Sequence, residues 1–185
     1  MKTLSVMQPW IEAMLLGKPI ENRERSDGKM PALCRHRGPL LLHASKSVGT
    51  RDDFDSAVES IRGIAGEPAA REKIHEFAEL HVPLRGKKHG EGIWIPKSTM
   101  RLGGIVAVCD VVAHITPDGF AWSRPTGGAT VDLTREEWRW HNTGSYGLVL
   151  RNVRRVPQFY ACLGARQLFD TDPFLVGLKE SGEPS

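Results

Sequence analysis

The stretch over residues 103–115, Gly-Gly-Ile-Val-Ala-Val-Cys-Asp-Val-Val-Ala-His-Ile, constrains this chain more than any other. Ile105, Val106, Val108, Val111 and Val112 are β-branched, and such side chains lose rotamer freedom in a helix but pack well on a pleated surface. The run predicts a core β-strand. Residues 39–43, Pro-Leu-Leu-Leu-His, predict a second buried strand that ends at Ala44-Ser45-Lys46, and residues 146–150 predict a third. Residues 2–6 read as a shorter strand, and residues 157–168 hold one more. Short strands, long irregular links and few helices point to an α+β, mostly β domain built on a small barrel with flanking helices. The 185 residues suit one domain over 1–170 with an insertion at 47–101, followed by a tail over 171–185.

Helical spacing marks the remaining elements. Pro9 fits a first helical position, where its missing N–H costs nothing; Trp10, Ala13 and Met14 follow on one face, and Gly17 stops the helix. Thr50-Arg51-Asp52-Asp53 reads as a capping box ahead of Phe54, Ala57, Val58 and Ile61, which share one helical face until Gly63. Pro68 opens a second helix with Ile74, Phe77, Ala78 and His81 on its face, so residues 51–81 predict an acidic helical hairpin. Residues 84–100 read as a basic loop containing Trp94, and Thr134 caps a short helix within 133–140.

The net charge of +3 hides an uneven distribution. Residues 18–37 carry six bases and three acids, 84–101 five bases and one acid, and 151–166 four arginines and no acid. Residues 51–82 carry eight acids against four bases. If folding gathers the three basic stretches they form a cationic face suited to nucleic acid; otherwise they are solvated loops. The acidic hairpin offers a surface to a protein partner.

Several classes are excluded. No apolar run is long enough to span a membrane, and the first residues lack an apolar signal-peptide core. Cys34, Cys109 and Cys162 are widely spaced and odd in number, which predicts a reducing, cytoplasmic setting rather than a disulfide framework. The histidines and cysteines form no paired zinc spacing, and no phosphate-cradling glycine motif occurs, so neither a metal nor another cofactor is expected.

Five segments together resemble the ASCH domain family. They are Leu4-Ser5-Val6-Met7-Gln8-Pro9-Trp10, Gly17-Lys18-Pro19-Ile20-Glu21-Asn22-Arg23, residues 37–45, residues 104–111 and residues 146–153. The resemblance covers residues 3–46 and 102–169 and implies a PUA-like β-barrel that binds RNA or other nucleic acid in a cleft beside the helix after the first strand. Residues 47–101 depart from it, since a minimal domain of this family lacks so large an insert. Some members remove the acetyl group from N4-acetylcytidine, using a lysine, a threonine three residues later and a separate glutamate; relatives act as ribonucleases. The lysine matches Lys18, but Glu21 stands at the threonine position, which predicts little deacetylation.

The candidate residues follow from both lines. Glu21 and Arg23 lie two apart in an extended segment and share a face. With Lys18 they predict a ligand-facing cleft, with Lys18 and Glu21 as an acid–base pair if the chain is an enzyme; the plainer reading is an ion pair closing the barrel. Gln8 suits a base edge or, alternatively, a backbone cap, and Trp10 a stacking platform or, at least equally, the core. Ser45 and Lys46 end a strand at the barrel mouth, and Tyr146 lines the same cleft or packs at a strand start. His43 reads as a satisfied core histidine. Arg37, Lys87, Lys88, Arg151, Arg154 and Arg155 are expected on a phosphate backbone, with Trp94, Trp138 and Trp140 available for stacking.

Overall fold

The computed structural model describes residues 1–23, 30–48, 51–76, 80–83, 92–95, 101–124, 128–165 and 168–178. In chain order these form β1 (Lys2–Gln8), α1 (Trp10–Leu15), β2 (Ile20–Arg23), a 3-10 turn (Ala32–Arg35), β3 (Gly38–Val48) and α2 (Arg51–Glu76). There follow β4 (Leu80–Pro83), β5 (Gly92–Ile95), β6 (Gly104–Ile115), β7 (Ala121–Trp122), α3 (Arg135–Trp138), β8 (Tyr146–Ala161), β9 (Phe169–Asp170) and a final 3-10 turn (Pro173–Val176).

The protein is mixed α+β and mostly β. Its main sheet has seven strands in the order β2-β8-β6-β3-β1-β9, with β7 on β6. Strands from before and after the insertion interleave in it, while β4 and β5 pair only with each other. β1 and β3 run parallel, and α1, β2 and the first 3-10 turn make the crossover that parallel pairing demands.

The sheet is not closed, so the expected barrel is not present as a continuous ladder. Its edge strand β2 instead reaches β1 through one side chain: Arg23 Nη2 donates to the Ser5 carbonyl at 3.2 Å.

Both faces of the central strands are buried, which is why residues 39–43 and 103–115 lack polar alternation. Leu4, Val6, Leu40, Leu42, Cys109 and Leu150 face one core, where Ile11 and Met14 of α1 join them. Leu41, Ile105, Val108 and Val156 face a second core, closed by Val176. Ile20, Ala113, Ile115 and Val149 form a third, against which Trp138 and Trp140 pack. Truncating a fully buried leucine such as Leu41 to alanine costs ~2–5 kcal/mol.

Three sequence expectations need correction. The helix starting at Arg51 runs through Gly63 and breaks at Gly66 (φ 85°, ψ 175°), a conformation glycine tolerates and other residues do not. His81 lies in a strand, and Trp94 in its partner, so the hairpin and loop boundaries there shift. The separate strand expected at 157–168 is the second half of β8, which continues through Pro157. Beyond residue 149 that strand pairs only with β6, so its other edge needs no N–H from proline. Thr50, Phe77 and Ala78 lie outside the described residues. Ala57, Val58 and Ile61 are buried on α2, and Val58 and Ile61 pack with Ala13 of α1. Thr134 caps α3 in a reciprocal capping box with Glu137.

Candidate functional site

Gly17 sets the entry to the site. It adopts φ 125°, and a Cβ there would lie 3.2 Å from Ile64 Cγ2, so only glycine lets α1 end against α2. The Lys18 N–H donates to the Ala13 carbonyl at 2.9 Å, turning the chain back into β2. β2 pairs with β8 from Ile20↔Val149 to Arg23↔Tyr146. Its pleat buries Ile20 and presents Glu21 and Arg23 to the same side, where they form an ion pair at 2.9 Å.

Lys18 is 4% exposed and Glu21 8%. The Lys18 ammonium donates to the Ile20 carbonyl and sits 5.3 Å from the centre of the Trp10 ring. Burial lowers the Lys18 pKa from its ordinary value; Glu21 opposes this and Arg23 adds to it. Arg23 uses Nη2 on Glu21 and the Ser5 carbonyl, while its buried Nε has no partner.

These groups border a cleft of ≈ 710 Å³, within the size range of small-ligand sites. Ser5, Trp10, Lys18, Glu21, Arg23 and Ser45 line one side. The insertion supplies another: Asp52, Asp53, Ser56 and Ser60 face the cleft from α2, and Arg139 and Trp140 close it beyond α3. The α2 contribution is absent from the sequence expectations. Its signal was available, since residues 52, 56 and 60 form a polar stripe beside the apolar stripe of 57, 58 and 61.

The other expected residues are dispersed. Gln8 is 2% exposed, does not line the cleft, and leaves its Oε1 buried without a partner. Tyr146 packs in the first core. Lys46 is exposed, its stem lying over Gly103. Arg37 is committed to structure: its N–H groups donate to the carbonyls of Cys34, His36, Trp122 and Ser123 and to His114 Nδ1, at 2.6–3.1 Å. Arg151 pairs with Glu137 and borders an adjoining cavity of ≈ 670 Å³ that Lys18, Arg139 and Trp140 also line. Arg155 pairs with the buried Glu12 at 2.8 Å, and Arg154 borders a third cavity together with Lys2 and His36. Arg154 therefore faces a different cavity from Lys18, whereas Arg151 lies on a cavity that Lys18 also lines. Lys87 and Lys88 lie outside the described residues.

His43 is a satisfied core histidine. Its Nε2 lies 3.1 Å from the Cys162 carbonyl, an acceptor, so Nε2 carries the proton and the Ser5 hydroxyl donates to Nδ1 at 3.2 Å. A Cβ at Gly164 would fall 2.6 Å from Ser5 Oγ, so that loop lies directly over the pair. Burial pushes the Cys34 thiol up to about 11 and the Cys109 thiol to about 12, leaving neither as a nucleophile at neutral pH. No described helix is long and apolar enough to cross a membrane.

No protein-family model matches the chain, and none of the curated proteins matches it in sequence.

Proposed function

We propose that this chain is an ASCH-like, PUA-like domain that binds nucleic acid, RNA ahead of DNA, and takes one unstacked base into the Lys18–Glu21–Arg23 cleft. The barrel of that fold corresponds here to the open sheet whose β2 and β1 edges meet through Arg23 and Ser5. One observation carries the reading. Three buried or half-buried charged groups, one with an unpaired N–H, meet at the wall of an open cleft that also contains Trp10 and Trp140. Such groups exchange hydrogen bonds with a base edge, while indole faces stack on bases at ~1–3 kcal/mol each. Free cysteines fit a cytoplasmic protein.

Binding of short single- and double-stranded RNA and DNA, followed by fluorescence anisotropy, tests this. Single-stranded RNA binds tightest, and Lys18→Ala weakens it at least about tenfold. Failure of every oligonucleotide to bind, or equal affinity in the variant, overturns the reading.

A second reading, a hydrolase of an acylated base, is favoured by Lys18 lying buried beside Glu21, where burial lowers its pKa and so eases its use as a proton donor and acceptor. Glu21 lacks the hydroxyl of the deacetylating relatives, so turnover of N4-acetylcytidine is expected to be negligible. Robust turnover abolished by Lys18→Ala would establish this second reading instead.

A further inference from the structure

We infer that the cleft is built for an uncharged base-and-sugar unit and excludes phosphate, and that α2 of the insertion imposes this selectivity. The inference rests on the reading of the cleft as a base-binding site and names the class of group admitted.

Lys18, Arg23 and Arg139 line the cleft together with Glu21, Asp52 and Asp53, so its positive and negative side chains balance. Each cation also already holds a partner, although Arg23 keeps one buried N–H unpaired. Arg23 holds Glu21 at 2.9 Å, and Arg139 holds Glu136 at 2.7 Å while donating to the Gly63 carbonyl at 3.3 Å. Lys18 donates to Ile20 and lies under Trp10. A phosphate entering here would have to displace Glu21 or Glu136, or approach the carboxylates of α2.

The α2 wall is rich in acceptors. Asp52 and Ser56 are exposed on it, and the Ser60 hydroxyl donates to the Ser56 carbonyl at 2.8 Å, which turns its lone pairs outward as acceptors. Acceptors of this kind suit the hydroxyls of a sugar and the amino groups of a base, both donors. Trp10 and Trp140 add flat apolar faces on the remaining sides, and the indole of Trp140 is itself backed by the Arg139 guanidinium at 4.9 Å. The α2 and indole walls therefore favour an uncharged, donor-bearing, flat ligand, and the unpaired Arg23 Nε–H suits an acceptor atom on its base. In a strand, the flanking phosphates must lie outside α2.

Quenching of tryptophan fluorescence reads occupancy of this cleft directly. The wild-type chain is titrated with the four ribonucleosides and their 5′-monophosphates at low and at high salt. The tightest nucleoside is expected to bind at least about tenfold better than its own monophosphate at low salt, with the gap narrowing as salt screens the carboxylates. Asp52→Asn, which keeps one acceptor oxygen but removes the charge, is expected to shrink the gap at least about threefold by tightening the monophosphate, and Ser60→Ala to leave the gap unchanged. A monophosphate that binds as well as its nucleoside, or a gap unaltered in Asp52→Asn, overturns the inference and leaves base binding standing. Lack of any nucleoside binding, while oligonucleotide binding stays sensitive to Lys18→Ala, likewise overturns it. Oligonucleotide binding insensitive to Lys18→Ala removes the base-binding reading itself.

Discussion

Arg37 and the Lys18–Arg23 segment lie in one basic stretch of sequence, yet the fold uses their charges in opposite ways. Arg37 is surrounded by acceptors: four carbonyls and one imidazole nitrogen receive its N–H groups and tie β3 to β6 and β7. Nothing is left over for a ligand. Arg23 sits where two sheet edges fail to pair, so the acceptors that a ladder would have supplied are missing. It finds one carbonyl and one carboxylate, and keeps a buried N–H unpaired beside an open cleft. A half-buried cation ringed by carbonyls at the start of β3 is structural; on the proposed reading, a cation at the gap between β2 and β1 keeps an N–H for a ligand.

Substitutions break this comparison most sharply at Arg37. Arg37→Lys cannot reach five acceptors from one ammonium and leaves buried carbonyls unsatisfied, so it lowers unfolding free energy by about 3 kcal/mol or more in urea titrations. Ligand affinity of the protein that remains folded stays unchanged. Next in size is Lys18→Met. It removes a buried ammonium whose desolvation lowers its pKa, so thermal stability holds or rises slightly, while affinity for single-stranded RNA falls at least about tenfold. Loss of stability with retained binding would reverse the roles assigned to the two regions.

A pH series sharpens the Arg37 side. His114 is buried against the Arg37 guanidinium, and burial followed by that charge pushes its pKa below 6.5. The unfolded chain takes up a proton as pH falls through about 6.5 while the folded chain stays neutral there. Stability is thus complete above that pH and falls by up to about 1.4 kcal/mol per pH unit below it, until the folded pKa is reached. Chemical denaturation between pH 7.5 and 5 measures the slope, and His114→Asn, which keeps an acceptor for Arg37, removes this contribution. The smallest effect is expected at the exposed arginines of β8. Arg154→Ala with Arg155→Ala reduces the salt slope of oligonucleotide binding by about one unit per lost phosphate contact, equally across sequences. An unchanged slope assigns both to surface alone.

Much of the sheet was legible because its signal is local. Residues 103–115 carry enough β-branched side chains to specify a strand without tertiary help, and Thr134 with Glu137 specifies a helix start in four residues. The continuity of β8 was not legible, because arginines and Pro157 interrupt its pattern; Pro157 is tolerated where the β6–β8 register shifts between Ile105↔Tyr160 and Ala107↔Arg155 and leaves it without a ladder partner. Spacing in an extended segment made only the shared face of Glu21 and Arg23 legible; joining Lys18 to them in a cleft rested on the family resemblance, and the Glu21–Arg23 ion pair fits the plainer reading as well. The opposing wall was not legible, since the stripe of Asp52, Ser56 and Ser60 looks like an ordinary solvated helix face until α2 is packed against α1.

The central claim is that binding takes place in the cleft between β1, β2 and α2 rather than on the scattered arginines. Photocrosslinking a short single-stranded RNA bearing 4-thiouridine, with the adducts located by peptide mass spectrometry, tests it most directly. The account predicts adducts at Trp10, Trp140 or the adjoining residues of β2, lost on addition of excess free nucleoside. Adducts confined to the segment around Arg154 and Arg155, unaffected by nucleoside, would contradict it.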